Sequence, residues 1–465
     1  MVKKTTKEAR DFKNDKDVES FSIYLDNGYF FRDLIRNDPE KAIACIHKII
    51  NLNHKGVLKD YPIHTAVEAS QADVLKALIE KGAKLNVQND KGQTPLMLAV
   101  GYKDKIAEML IKAGADLNMR DKEGRTVLHY THDTKKIEKL IKQGADLNIM
   151  AYNDGSVLHR AVKNGDIEQA SLLIEMGAQA MAKRVSDSKA PIHLARTKDM
   201  AELLLQNGAD IDDLDGYKKT ALHQVVKEGY KKMVDFYLSK GAKVDTRDTS
   251  GQTPFETACI EGNADIAEKL LEKGADILHE DNEGRSILFF AGSQEVVDLL
   301  VKNKLDVNHL SYDGSTPLHY IRDPKVAEAL IKNGADIEKK DDKGLTPLHL
   351  AIKERRYDMA RLLIKNNADI IAAYDNQNLS PLDYAENRFE RGKNVSDEEK
   401  KELEALIKEM RMYASPTLLK LHDFGLAQNE ADTGALKALK GHSSEITTEK
   451  EIQNIPAVAK DKELA

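Results

Sequence analysis

The chain has 465 residues, 41% of them hydrophobic and 32% charged, with a net charge of −7. Both signs are mixed along its length, so no basic stripe marks a nucleic-acid surface, and no apolar run reaches the roughly 18 residues of a membrane span. Its two cysteines, Cys45 and Cys259, stand far apart without a C-x-x-C, which excludes a disulfide framework and a zinc knuckle and suits a reducing compartment.

In chain order, residues 1 to about 20 are charged and expected to fray. The basic start (Lys3, Lys4, Lys7) lacks a following apolar core, so no secretory signal peptide is expected. Residues 20–55 read as helical: Asp38-Pro39 makes a cap and first turn, and Ala42, Ile43, Ile46, Ile49 and Ile50 form one apolar face. The segment 1–55 is expected to be an N-terminal helical cap.

From residue 56 to 390 one pattern recurs, and it is clearest at Asp342–Ile370. Asp342-Lys343-Gly344 is turn chemistry, Thr346 can cap a helix and Pro347 fits its first position. Leu348, Ala351 and Ile352 recur at helical spacing, and Met359, Leu362 and Leu363 line a second helix. Neither helix can stand alone, so the unit needs a copy on each flank. The slot of Thr346 is filled in turn by Tyr61, Thr94, Thr126, Ser156, Ala190, Thr220, Thr253, Ser286, Thr316, Thr346 and Ser380, at steps of 33, 32, 30, 34, 30, 33, 33, 30, 30 and 34 residues. The spacing comes in two forms. It is 18 residues from His159 to Gly177 but 15 from His129 to Gly144, from His193 to Gly208 and from His319 to Gly334. Three residues are about one helical turn, so short repeats are expected to dent the surface made by the first helices.

A period near 33 with T-P-L-H-x-A and a later G-A-D resembles the ankyrin repeat. The resemblance implies an all-α ankyrin-repeat solenoid of about eleven helix-loop-helix units with short β-hairpin-like loops, capped by helices at both ends. Its histidines (His64, His129, His159, His193, His223, His319, His349) are then structural ties between neighbours; one imidazole per layer makes no four-ligand site, and no metal or cofactor is expected. The G-A-D glycines end the second helices in the left-handed region, where Lys304 and Asn367 depart from the pattern. Asn86, Asn118, Asn148 and Asn308 stabilise the hairpins. The sequence around Asn118 also resembles the sites that an asparaginyl hydroxylase modifies in this family.

From 391 the period ends. Residues 391–440 are expected to form a C-terminal helical cap: Ser396 to Glu399 is a capping-box pattern, Leu403, Leu406, Ile407 and Met410 mark the helix behind it, and Leu418, Leu419, Leu421 and Phe424 suggest a further piece. Residues 441–465 read as a loose tail. Asp423-Phe424-Gly425 looks like the magnesium-binding segment of protein kinases, but no other kinase motif accompanies it.

The resemblance implies a non-enzymatic scaffold or adaptor, expected to be monomeric, that binds a protein partner through hairpin tips and first helices, with neither nucleic acid nor membrane insertion. Aromatic and arginine residues are the usual anchors, which singles out Tyr217, Lys218, Tyr312, Arg125, Arg285 and the cluster Arg355-Arg356-Tyr357. Abundant Lys, Ile and Asn and the absence of Trp resemble the ankyrin effectors of intracellular bacteria, which would act in a host cytoplasm without an N-terminal signal peptide. Two alternatives stay open: an enzyme whose repeats target a small C-terminal region, and a purely structural spacer.

Overall fold

The computed structural model describes residues 29–46, 52–53, 61–371, 373–391, 396–414, 416 and 419, and the chain forms two compact units, Met1–Gln224 and Val225–Ala465. The described residues are helical throughout, with no named strand; one isolated antiparallel bridge joins Ala151 and Gly155. The fold is an all-α ankyrin-repeat solenoid. No described helix is long and apolar enough to cross a membrane.

In the first unit the helices are α1 (Tyr29–Asn37), α2 (Pro39–Ile46), α3 (Pro62–Glu68), α4 (Ala72–Glu80), α5 (Pro95–Ala99), α6 (Asp104–Lys112), α7 (Thr134–Lys142), α8 (Val157–Asn164), α9 (Ile167–Glu175) and α10 (Lys198–Gln206). First helices pack on first helices and second on second: α3 on α5, α4 on α6, α7 on α9. The pair α1–α2 continues this arrangement, α1 against α3 and α2 against α4. The helices α1 and α2 are thus one more pair of the same kind. Asp38 caps α2 by accepting from the Lys41 amide at 3.1 Å, and Ala42 and Ile46 are buried. Ile49 and Ile50 lie outside the described residues.

Helix α11 (Ala221–Lys227) spans the boundary between the units. The second unit continues with α12 (Lys231–Ser239), α13 (Pro254–Ile260), α14 (Ala264–Glu272), α15 (Gln294–Lys302), α16 (Pro317–Tyr320), α17 (Pro324–Lys332), α18 (Pro347–Lys353), α19 (Tyr357–Lys365), α20 (Pro381–Arg391) and α21 (Asp397–Tyr413). Helix α20 packs on α18 as a first helix does, and α21 packs on both α19 and α20. The helix expected as a separate C-terminal cap therefore fills the place of the second helix of the eleventh repeat, lengthened to 17 residues. Ser396 caps it by accepting from the Glu399 amide, and Leu403, Leu406 and Met410 are buried. Leu418, Leu421, the kinase-like Asp423-Phe424-Gly425 and the tail lie outside the described residues.

The short repeats have the geometry their spacing predicts. Their first helices shrink to a single turn: Val127–Tyr130, Pro191–Leu194, Ile287–Phe290 and Pro317–Tyr320. A truncated helix leaves its last carbonyls without the amides of a following turn. At Val127–Tyr130 and Pro317–Tyr320 an arginine from the next repeat supplies the donors. Arg160, on α8, donates to the carbonyls of His129 at 2.5 Å, Leu128 at 2.9 Å and Thr131 at 2.6 Å. Arg356, the residue before α19, donates to Ile321 at 2.7 Å and His319 at 3.0 Å. Burial pulls both guanidinium groups below their ordinary pKa, but an arginine stays charged, so each is a largely buried cation held by carbonyl dipoles, with Glu354 3.3 Å from Arg356 Nε as well.

The second helices end as expected. Lys304 and Asn367 adopt the left-handed conformation of the glycines they replace, with φ of 68° and 66°. The amides of Lys304 and Leu305 still bond back to Val301 at 2.8 Å and Leu300 at 3.2 Å, so the helix end is intact despite the side chain.

Candidate protein-interaction surface

In six repeats the hairpin is tied together by an aspartate, and in another by Asn89. At Asp341 the carboxylate accepts from the amides of Lys343 (2.9 Å) and Leu345 (2.8 Å), and Asp121, Asp215, Asp248, Asp281 and Asp375 act alike. Consecutive tips are joined through main-chain bonds. In the first unit Lys122 donates to Lys91, Tyr152 to Glu123 and Gly216 to Asp187; in the second, Tyr312 donates to Glu283, Asp342 to Asp313 and Asn376 to Lys343. Close approach explains the tip glycines: a Cβ on Gly92 would lie 2.6 Å from the Lys122 nitrogen.

Behind the tips, the histidines form the expected ties. His64 reaches the Gln93 carbonyl at 2.9 Å, His129 Gly155 at 3.0 Å, His159 Lys189 at 3.0 Å, His319 Leu345 at 3.1 Å and His349 Leu379 at 3.1 Å, all through Nε2. Nδ1 accepts a backbone amide from its own repeat, as from Ser156 (3.1 Å) and Thr316 (3.0 Å). An acceptor Nδ1 and a donor Nε2 define the neutral tautomer. Burial pulls His129, His319 and His349 below the usual imidazole pKa, and His159 down to about 4. The seventh repeat breaks the pattern. Glu256 takes the slot, accepting from the Thr253 amide at 2.7 Å and from His279 Nδ1 at 2.6 Å. Arg247 then donates to His279 Nε2 at 2.7 Å, so the tie to the next hairpin passes through a side chain.

Asn118 spans two repeats: its Nδ2 donates to the Gly144 carbonyl at 3.1 Å and its Oδ1 accepts from the Asp146 amide at 2.7 Å. Asn148 and Asn308 repeat the pattern, and Asn86 makes the Oδ1 half of it. The hairpin role accounts for all four.

The eight anchor candidates fall into three groups. Tyr217 and Lys218 sit exposed on a first-unit tip, with Lys218 at a φ of 57°. Tyr312, on a second-unit tip, is 76% exposed. Arg125 and Arg285 also stand at tips, but both turn inward. Arg125 pairs with Asp121 at 2.9 Å and lies 5.3 Å over the Tyr130 ring; Arg285 pairs with Asp281 at 2.7 Å and lies 4.8 Å over Phe290 and 5.4 Å over Tyr320. Burial by itself would raise the Asp121 and Asp281 carboxyls. Their hydrogen bonds outweigh it, from Tyr130 and Arg125 in one case and from Arg285 in the other, and hold both below the ordinary carboxylate range.

The cluster Arg355-Arg356-Tyr357 is not on this surface, and here the sequence expectation is corrected. The Arg356 side chain is 11% exposed and spent on carbonyls of the ninth repeat. Tyr357 is 6% exposed and donates to Glu399 on α21 at 3.0 Å. Arg355 lies 3.4 Å from the same carboxylate, which also takes two bonds from Arg388. Arg355 and Tyr357 thus face α21, while Arg356 is taken up by the ninth repeat.

What the sequence did not signal is the joint between tips and first helices. In three short repeats the residue after the His slot is aromatic (Tyr130, Phe290, Tyr320); Tyr130 and Phe290 meet the arginine of their own hairpin, and Tyr320 meets Arg285 of the preceding one. The D-x-x-x-R spacing of Asp121–Arg125 and Asp281–Arg285 was the readable half of this clamp. The result in the second unit is a preformed patch. Tyr312 lies against Gly284, where an added Cβ would be 2.5 Å from the ring; Arg285 lies over Phe290 and Tyr320; and Phe289 stacks edgewise on Tyr320 at 5.4 Å. Cys259 is fully buried and burial pushes its thiol up, so it makes a poor nucleophile. Among the described residues, no group of three or more His, Cys, Asp or Glu side chains is placed to hold a metal ion.

Comparison with known families and proteins agrees with this architecture. A family model described as ankyrin repeats (3 copies) matches residues 34–121, 103–184, 129–215 and 192–281. Models for ankyrin repeats (many copies) and for a single ankyrin repeat match 330–385 and 313–342. The chain is also similar to glycerophosphocholine phosphodiesterase gde1 of Schizosaccharomyces pombe, 26% identical over 182 residues, which are 38% of this chain and 13% of that protein.

Proposed function

Because this chain belongs to the ankyrin repeat family, we propose that it is a non-enzymatic recognition scaffold that binds a protein partner on the tips and first-helix ends of its second unit. One observation carries the reading: the patch of Tyr312, Arg285, Phe290 and Tyr320 is held in shape by the fold before any partner arrives. A surface that needs no ordering on binding loses little entropy there, and aromatic and arginine side chains are the residues that dominate interface energies. Such a partner could be met in the chain's own cytoplasm or, if the chain is an effector, in that of a host cell.

The test is a pull-down with the full chain from candidate host lysates, comparing Tyr312→Ala with Tyr102→Ala. Tyr102 is 95% exposed and lies in the loop between α5 and α6, away from the hairpin tips. A partner lost with the first variant and retained with the second supports the proposal; equal retention of every partner removes it. The enzyme reading has one point in its favour, the phosphodiesterase name of the fission-yeast relative, although the similarity spans 13% of that protein. Hydrolysis of a phosphodiester by the full chain would favour it over the scaffold.

A further inference from the structure

We infer that the tips of the eighth and ninth repeats receive a basic segment of the partner, with a Lys or Arg side chain laid against the Tyr312 ring beside Glu283. The inference rests on the docking surface proposed above and adds the chemistry of what docks there.

Three observations converge on it. The first is the ring itself: Tyr312 is 76% exposed, with one side backed by Gly284 and its amide fixed to the Glu283 carbonyl at 2.9 Å. A rigid aromatic with an open side is a cation acceptor. The second is that the neighbouring rings already hold a cation. Arg285 lies 4.8 Å over Phe290 and 5.4 Å over Tyr320, so rings on these tips suit a guanidinium, whereas among the described residues no cation lies over Tyr312. The third is charge. The hairpins at 279–285 and 309–315 carry Glu280, Asp281, Glu283 and Asp313; Arg285 is shared by Asp281 and Glu283, His309 lies 3.4 Å from Glu280, and Arg247 of the preceding repeat reaches His279, which leaves the two tips net negative. An acidic segment or a nucleic-acid backbone would be repelled; a basic one finds a rim with more carboxylates than cations around an open ring.

The experiment selects a phage-displayed library of random 12-residue peptides on the immobilised full chain, with counter-selection on Tyr312→Ala. Enriched peptides are synthesised, and their affinities for the parent chain, Tyr312→Phe, Tyr312→Ala and Glu283→Gln are measured at low and high salt. The expected peptides are net positive. They bind Tyr312→Phe nearly as well as the parent, which also shows that the site tolerates substitution. They lose at least roughly tenfold with Tyr312→Ala or Glu283→Gln and weaken with added salt. Enrichment of acidic or uncharged peptides that still depend on Tyr312 overturns the basic segment while leaving the docking surface standing. Enrichment indifferent to Tyr312→Ala, or no enrichment, overturns both.

Discussion

Arg160→Met removes a guanidinium and keeps a stem of similar reach, so it isolates the role of the charge. In the folded chain that guanidinium satisfies the carbonyls of Leu128, His129 and Thr131 at the end of a one-turn helix. A hydrogen bond from a charged donor contributes about 1.5–3 kcal/mol net, and an acceptor left buried without a donor costs about 1–3 kcal/mol. Three bonds from one planar group are not independent, and the methionine recovers some apolar contact, so the plain sum is too large. Removing the charged donor leaves neutral carbonyls and no unpaired charge, so we expect about 3 kcal/mol, the worth of one to two such bonds. Repeat arrays open locally, so the readout is native-state hydrogen exchange by mass spectrometry and not a single melting point. About 3 kcal/mol corresponds to protection falling roughly a hundredfold, confined to the third and fourth repeats. Arg355→Met is the control: its side chain is half-exposed and its carboxylate contact is 3.4 Å, so it should cost under about 1 kcal/mol. If Arg160→Met leaves exchange around residues 126–133 within a few-fold of the parent, the carbonyls find water or other donors, and the plug has no energetic role.

Two further outcomes rest on the same geometry. His129, His159, His319 and His349 are neutral in the fold, and their folded pKa lies below the unfolded value near 6.5. The unfolded chain therefore binds more protons between the two values, and their contribution, present above about pH 6.5, is lost as pH falls through the folded values. For His159, held at about 4, that is worth roughly 3 kcal/mol, and urea midpoints that stay flat across this window would count against the neutral ladder. Lys304→Gly should stabilise the second unit. A non-glycine residue in the left-handed region costs about 1–2 kcal/mol, and the greater freedom of glycine in the unfolded chain takes back about 0.4–1 kcal/mol, leaving a gain near 0.5–1 kcal/mol. A lower urea midpoint for this variant would mean that the lysine stem contributes more by packing than its backbone loses.

The period, the turn residues and the histidine slot were legible in the chain because each is local. A capping threonine, a following proline and a glycine 15 or 18 residues beyond the histidine specify helix starts and ends whatever surrounds them. The same holds for the short repeats, whose missing turn is a matter of counting. The anchors were only half legible. Tyr217 and Tyr312 are exposed as their tip positions imply, whereas Arg356 and Tyr357 read as surface residues and are not. Which carbonyls lack donors depends on where a helix stops in one repeat and which side chain the next repeat brings above it. Arg160 comes from within a first helix and Arg356 from the loop before a second, so no single register position foretells the plug. Glu256 likewise finds its partner in His279, 23 residues away on the next hairpin. The repeat, its helix starts and its two lengths could be read from the chain alone, because backbone propensity and side-chain period act within a few residues. Which charges are consumed inside and which rings stay open was settled only when the repeats stacked, because burial is a property of neighbours brought together from about thirty residues away.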